Sequence, residues 1–440
     1  MGKEPTASRG LRRALGPGVL TVLVVGDILG AGIYVLVGEV AAEVGGLLWV
    51  PFLMAFALAG LTASSYVELV TAHPHAAGTS RYVEVAFNRP AFTFVVGFVV
   101  AASAMTTAAA VSRAVGGQYL VAFGDLPTVP VALATVVLLS LVVWVGIAES
   151  SRANVVMTAV EVGGLLVVIA AGIGGLVDGT SEPSRLLEGG GSESGVFAFL
   201  GVTALAFFAY LGFEDAVHLA EEVKKPRRSF PIALFAGLAV VGILYLAVTL
   251  SAGSIVEPAE LGRSETPLLA AIETGPVPIS AEVFALIATT AVANTALLAL
   301  TTASRQVYGL AEQGAAPAAL ARIGRRQTPT VAIVAVSAVV AVLVATGGVR
   351  ELADTTVALL LAVFATVNVT VLVLRRRTTE AQETEAPFRT PSTAAVLGAL
   401  GSSALLVNSL VVGGLGLLLR LASLLGLALL LYLITRRRIG

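Results

Sequence analysis

Two short stretches of this 440-residue chain hold residues that could grip a charged ligand. GDILGAGI at 26–33 sets three glycines and Asp27 inside an apolar run, and FFAYLGFED at 207–215 sets Gly212 before Glu214 and Asp215. Each glycine costs about 1 kcal/mol relative to alanine in a helix interior. A carboxylate at mid-bilayer costs roughly 2.5 to 3.5 kcal/mol on insertion scales. A lipid-embedded helix that carries both is therefore predicted to break there and to use the break. Unwinding at Gly30, Ala31 and Gly32 would free amides at the positive end of a second half-helix, which suit a carboxylate. The first half-helix would end in carbonyls near Ile28. Carbonyls of Phe208, Ala209 and Leu211 would join them on the side that suits an ammonium. Amides facing carbonyls across one gap match a zwitterion with adjacent ammonium and carboxylate groups. The competing reading of GAGI is a small-residue contact between packed helices.

These residues act this way only inside a membrane, and the composition supplies one. Hydrophobic side chains make up 57% of the chain and charged ones 12%, against about 25% charged in an ordinary globular protein. That excludes a water-soluble multidomain enzyme and leaves material for about twelve spans of about 20 residues. Apolar runs bounded by charge or Pro/Gly clusters place spans 1 to 6 at 17–43, 46–71, 91–123, 128–148, 153–176 and 195–222. Spans 7 to 12 fall at 230–253, 280–312, 329–346, 354–374, 392–412 and 415–435. The runs are continuous, which predicts helices rather than alternating barrel strands.

An even count puts both termini on one side. With that side cytoplasmic, 22 of the 27 Lys and Arg fall in cytoplasmic segments, from Lys3, Arg9, Arg12 and Arg13 to Arg436, Arg437 and Arg438. Only Arg185, Arg263, Arg350 and Arg420 lie outside, and Arg113 sits within span 3. This asymmetry predicts the orientation and a multi-pass protein of the cytoplasmic membrane. The chain then divides into a cytoplasmic tail at 1–16, a five-span block at 17–176, an outer loop at 177–194 and a second five-span block at 195–374. A cytoplasmic loop at 375–391, spans 11 and 12 at 392–435 and a cytoplasmic end at 436–440 complete it. Duplicated blocks with an odd number of crossings are inverted relative to each other, and transporters built this way carry interrupted helices at corresponding places in the two halves. Spans 1 and 6 fit that description.

Four motifs in order, GAGI at 30–33, YVELVTAHPHAAGTSRY at 66–82, FFAYLGFEDAVHLAEEVKKPRRSFP at 207–231 and TASRQVYGLAEQGAAP at 302–317, resemble the amino acid, polyamine and organocation (APC) permeases. Within them the resemblance points to bacterial relatives of the cationic amino acid transporter branch. It implies an all-α membrane protein with a LeuT-like five-plus-five inverted repeat, discontinuous helices 1 and 6, two added C-terminal helices and alternating access to a central site. It also implies that a substrate carboxylate meets amides around Gly30, Ala31, Gly32 and Ile33, and that the amino group meets carbonyls of Ile28, Phe208, Ala209 and Leu211. Phe208 and Tyr210 are candidate pocket or gate aromatics, with ordinary helix packing as the alternative.

Relatives that couple to protons often carry a lysine in span 5, where this chain reads SSRANVVMTAVEVGG with Glu161 at the matching position. The reversed charge makes Glu161, with Asp27, the candidate coupling pair for H⁺ or Na⁺; the alternative is a protonated carboxyl bonded to a neighbour. Glu68 and Arg305 resemble positions that stabilise the cytoplasmic side, and Lys224, Lys225, Arg227 and Arg228 are expected to anchor span 6 against anionic lipid. Glu39 and Glu43 either line the outer access path or face the membrane surface.

The expected pocket lies between spans 1, 3, 6, 8 and 10. Span 3 offers small residues and no acid, which favours an amino acid with a neutral side chain. An amine, polyamine or cationic amino acid exchanger, paired with Asp27 or Glu214, is the alternative, and an intramembrane enzyme or channel a remote one. The three histidines, His73, His75 and His218, lack metal spacing, cysteine is absent, and no nucleotide loop or nucleophile constellation occurs. Neither a metal, a cofactor, nor a nucleic acid partner is expected, and nothing fixes an oligomeric state.

Overall fold

The computed structural model describes residues 15–74, 78–124, 126–146, 151–189, 195–377 and 388–439. Lys3, Arg9, Arg12, Arg13, His75 and Glu193 lie outside these residues, as do 378–387 of the 375–391 loop and the side chains of Arg152 and Arg436 to Arg438. Regular structure among the described residues is helical, with two isolated bridges, Leu15 to Val223 and Gly45 to Gly189. Among the described residues ten helices are long and apolar enough to cross a membrane, and an eleventh forms if the pair Pro17–Ile28 and Ala31–Val44, bent by 42°, is taken as one. Thr330–Thr346 is a shorter apolar helix of 17 residues. The chain is thus an all-helical, multi-pass membrane protein.

Each of the twelve predicted apolar runs is helical over most of its described residues, and the ends follow local rules. Proline opens spans 1, 3 and 7 at Pro17, Pro90 and Pro226, where its missing N–H is an orphan in any case. The Ser280 hydroxyl accepts from the Val283 amide at the start of span 8, and Gly146 in the left-handed region (φ 84°) ends span 4. Span 3 is shorter than predicted: it runs Pro90–Gly117, and the residues Tyr119–Phe123 form a separate turn of 3₁₀ helix. The apolar run continues through that turn, which is why hydropathy alone overshoots.

Burial orders the spans. The apolar window of span 3 is 83% buried, whereas those of spans 4 and 12 are 17% buried, so span 3 is the axis of the bundle and spans 4 and 12 face outward. With so little difference in polarity between lipid and side chain, small residues and hydroxyls do the joining. Thr356 of span 10 donates to Thr106 of span 3 at 2.7 Å. Asn368 accepts from Ser65 at 2.7 Å and donates to Thr62 at 3.2 Å, tying span 10 to span 2.

Candidate functional site

Span 1 breaks within two residues. Its first half ends at Ile28, Leu29 and Gly30 are extended, and Ala31 and Gly32 already belong to the second half-helix. The break is therefore narrower than the Gly30–Gly32 unwinding predicted. The reason is a cap from elsewhere in the chain: Gly30 has no side chain to cap the new helix, and the Ala31 amide instead donates to Thr295 Oγ1 of span 8 at 2.9 Å. On the opposite pole the Tyr245 hydroxyl of span 7 donates to the Ile28 carbonyl at 3.1 Å.

Span 6 breaks differently. Its α-helix ends at Phe207, Phe208–Tyr210 is a 3₁₀ turn, Leu211 is extended and Gly212 has φ 122°. Only another 3₁₀ turn, Asp215–Leu219, follows, so the second half does not return to α-helix and the interruption begins four residues before Gly212. Glu214 stabilises it locally by accepting from the Gly212 amide at 2.9 Å. Aromatic rings fix its position: Phe213 lies 5.9 Å from Tyr66 and 5.4 Å from Phe364, and Phe207 lies 5.7 Å from Phe364.

The two breaks press together. A Cβ at Gly32 would overlap the Cα of Ala209, and one at Gly212 would overlap the Asp27 carbonyl. Beside this contact lies a cavity of about 70 Å³, room for about five waters. Span 1 contributes Asp27 to its wall, span 3 Val100, Ser103, Ala104 and Thr107, span 6 Leu211, Gly212, Glu214 and Asp215, span 8 Thr295, Leu298, Ala299 and Thr302, and span 10 Leu360. These are the five spans the sequence pointed to. A second cavity of about 120 Å³ shares Asp27 with it and is otherwise lined by Leu23, Val24, Ala216 and Leu219, toward the end of the bundle at which span 1 begins. On the other side of the breaks the path is packed shut. The Tyr119 hydroxyl donates to the Tyr34 carbonyl at 2.6 Å, the Tyr34 hydroxyl to the Glu161 carbonyl at 2.7 Å, and the Tyr34 ring lies 6.4 Å from Phe284.

The predicted site residues separate into groups. Asp27 and Leu211 line the cavity. Ile28 ends the first half-helix, Gly30 lies in the break and Ala31, Gly32 and Ile33 open the second half-helix, with one pole held by Thr295 and the other by Tyr245. Phe208, Ala209 and Tyr210 are buried behind the wall, and Tyr210 packs between Phe56 at 5.9 Å and Tyr245 at 5.3 Å, the helix-packing alternative. Glu161 and Asp27 have different surroundings. Asp27 shares the cavity with Glu214 and Asp215, whereas Glu161 is 1% exposed, accepts from Asn294 Nδ2 at 2.9 Å, and leaves Oε2 without a hydrogen-bond partner. Thr158, one turn before it, faces Gly26 and also has an unpartnered hydroxyl.

Ser103, Thr107 and Thr295 are wall residues that the motif reading missed, and Thr302, which opens the fourth motif, had no role assigned to it. Their signal is spacing: Ser103 and Thr107 are four apart and Thr295 and Thr302 seven apart, so each pair shares one face of an apolar helix. Other polar expectations are resolved by contacts. Glu68 pairs with Arg375 and accepts from the Thr390 amide at 2.7 Å. Glu39 and Glu43 both bond Arg350, at 3.1 and 2.8 Å. Arg113 leaves its Nε buried and unpartnered, Lys224, Lys225, Arg227 and Arg228 are exposed, and no group of three or more His, Cys, Asp or Glu suited to a metal ion occurs among the described residues.

A family model described as "Amino acid permease" matches residues 15–418. The vacuolar cationic amino acid transporter 4 of Arabidopsis thaliana is 29% identical over 81% of this chain and 62% of its own length, so the chain spans about three fifths of that relative. Two Bacillus subtilis (strain 168) proteins are covered more fully. The methylthioribose transporter is 28% identical over 87% of this chain and 85% of its own, and the branched-chain amino acid permease 25% over 84% and 83%.

Proposed function

We propose that this chain, which belongs to the amino acid permease family, is a secondary transporter that moves an amino acid across the cytoplasmic membrane by alternating access. The observation that carries the proposal is the cavity beside the touching breaks of spans 1 and 6. Half-helix ends bring backbone amides and carbonyls that lack a partner in their own helix to one point inside an apolar bundle, and such poles match the two charges of an α-amino acid. In this reading residues 17–176 and 195–374 are inverted five-span repeats, twelve spans cross the membrane, both termini are cytoplasmic, and the cavity is the inner vestibule of a conformer closed to the outside. A cavity of about 70 Å³ is tight for an amino acid, so binding would part Gly32 from Ala209.

The small side chains that span 3 gives to the wall, Val100, Ser103 and Ala104, support a neutral substrate side chain. A second reading is favoured by one observation: Asp27, Glu214 and Asp215 all reach the same wall, which suits a second positive charge and hence a cationic amino acid or an amine. For coupling, a carboxyl as buried as Glu161 with one oxygen unpartnered is held neutral by a proton or balanced by a cation, because an isolated charge there is too expensive. Glu161 is proposed to carry that coupling charge.

Purified protein is screened for thermal stabilisation by the twenty amino acids and common amines, since a molecule that binds only the folded state raises apparent stability. Stabilising compounds are then followed by counterflow in proteoliposomes. Stabilisation with counterflow by alanine-like amino acids supports the neutral reading, and by arginine or agmatine the cationic one; no amino acid or amine effect would end both. Glu161→Gln is expected to abolish the dependence of uptake on pH or sodium. Unchanged coupling in that variant removes Glu161 from the mechanism.

A further inference from the structure

Resting on that reading, we infer that Thr295 is an exchangeable cap, which holds the amide pole of span 1 while the pocket is empty and yields it to the carboxylate of an incoming amino acid. A helix that starts at Ala31 after Gly30 presents amides with no partner in their own helix, and the residue that would normally cap them has no side chain here. The Ala31 amide is satisfied instead from 264 residues away by Thr295 Oγ1. The fit is mutual, because a Cβ at position 30 would come within 2.6 Å of that same oxygen. Glycine at the cap position thus makes room for a borrowed cap.

Three features make the cap exchangeable. Thr295 belongs to the cavity wall, so its side chain stands between the open space and the amide. Its hydroxyl has a second partner, the Ala291 carbonyl one turn earlier at 3.3 Å, and threonine in a helix populates two rotamers because of that backbone acceptor. In the other rotamer the hydroxyl can donate to the carbonyl of Val292, three residues earlier, so neither buried group is orphaned once a carboxylate arrives. The opposite pole has no such freedom. Tyr245 is 0% exposed and stacked edge-on against Tyr210, and its hydroxyl leaves one lone pair of the Ile28 carbonyl for an ammonium. The carboxylate end is therefore where binding changes the protein's own bonds, and where contact between spans 8 and 1 is released.

The test uses the full-length wild type, Thr295→Val and Thr295→Ser, titrated with those amino acids that stabilise the wild type, beginning with L-alanine and L-arginine, and with agmatine as a probe that lacks a carboxylate. Valine removes the cap from the empty state only, so amino acids are expected to bind about fivefold more tightly, the equivalent of one lost cap. Serine should restore wild-type affinity, and agmatine should bind both variants alike. Amino acid affinity that is unchanged in Thr295→Val makes Thr295 a permanent brace, and affinity that falls makes it a direct ligand; either overturns the inference while leaving the transport reading intact. If no amino acid stabilises the wild type, both fall together. Thr295→Ala replaces the valine variant if the latter does not fold.

Discussion

Arginine closes both ends of this bundle, and the two closures are built to different standards. Arg375 meets Glu68 through Nε and Nη2, and Glu68 also takes the Thr390 amide, while Arg375 bonds Ser392; the two side chains are 14% and 12% exposed. Arg350 bridges Glu39 and Glu43, but these side chains are 37 to 41% exposed. The first pair ties span 2 to span 10 and to the chain entering span 11, elements that belong to no break. The second ties the outer half of broken span 1 to the start of span 10. Water decides the difference, since removing one member of a buried pair strands a charge, whereas an exposed pair is half-solvated already. The contact to broken span 1, which parts in the proposed alternating access, is the weak closure, and the framework carries the strong one.

The comparison predicts a ladder of stabilities. Glu68→Gln leaves the Arg375 guanidinium buried without its carboxylate, and a loss of about 3 to 5 kcal/mol is expected, seen as a sharply lower melting temperature in detergent and poor yield. A variant that melts within a degree of wild type would remove the contrast. Arg420 is intermediate: it is 18% exposed, donates to Thr355 at 3.1 Å and meets Glu351, itself 57% exposed, at 3.1 Å. Arg420→Ala should cost about 1.5 kcal/mol, and the matching loss should vanish in a Thr355→Val background if the buried hydroxyl rather than the exposed carboxylate supplies it.

Much of this architecture was legible in the sequence, and the unread part has a common cause. Span 11 runs Ser392–Val412 as the apolar run predicts, and spans 2 and 8 agree to within three residues, because hydropathy and bounding charges are local signals. The two interrupted spans at the cavity were legible too, since glycine and carboxylate within the apolar runs of spans 1 and 6 are costly unless the helix breaks there. The position of each break was not. Span 1 resumes at Ala31 because Thr295 caps it, Ile28 is held by Tyr245, and Glu161 finds Asn294 rather than Asp27; these partners lie 133 to 264 residues apart. Span 6 resumes as 3₁₀ helix under the rings of Tyr66 and Phe364, and no window along the chain contains those three elements at once. Glu39 and Glu43 show the same limit: their spacing of four puts them on one face, but only the fold brings Arg350 to it.

The smallest expected change in stability is the most informative about access. Arg350→Ala removes a pair worth about 0 to 1 kcal/mol, so the melting temperature should hardly move. Its effect belongs on the balance between conformers, because the lost contacts join two elements that separate when the outer side opens. The chain has no cysteine, so a single Val37→Cys reports that opening without background; Val37 is 0% exposed in the outer half of span 1. A membrane-impermeant maleimide should label this position faster in Arg350→Ala than in the otherwise wild-type protein, and Arg350→Lys should fall between, since an ammonium cannot bond both carboxylates in the fixed fork geometry of a guanidinium. Equal labelling rates in all three would mean that the tyrosines at 34 and 119, rather than the ion pairs, hold the outer side closed.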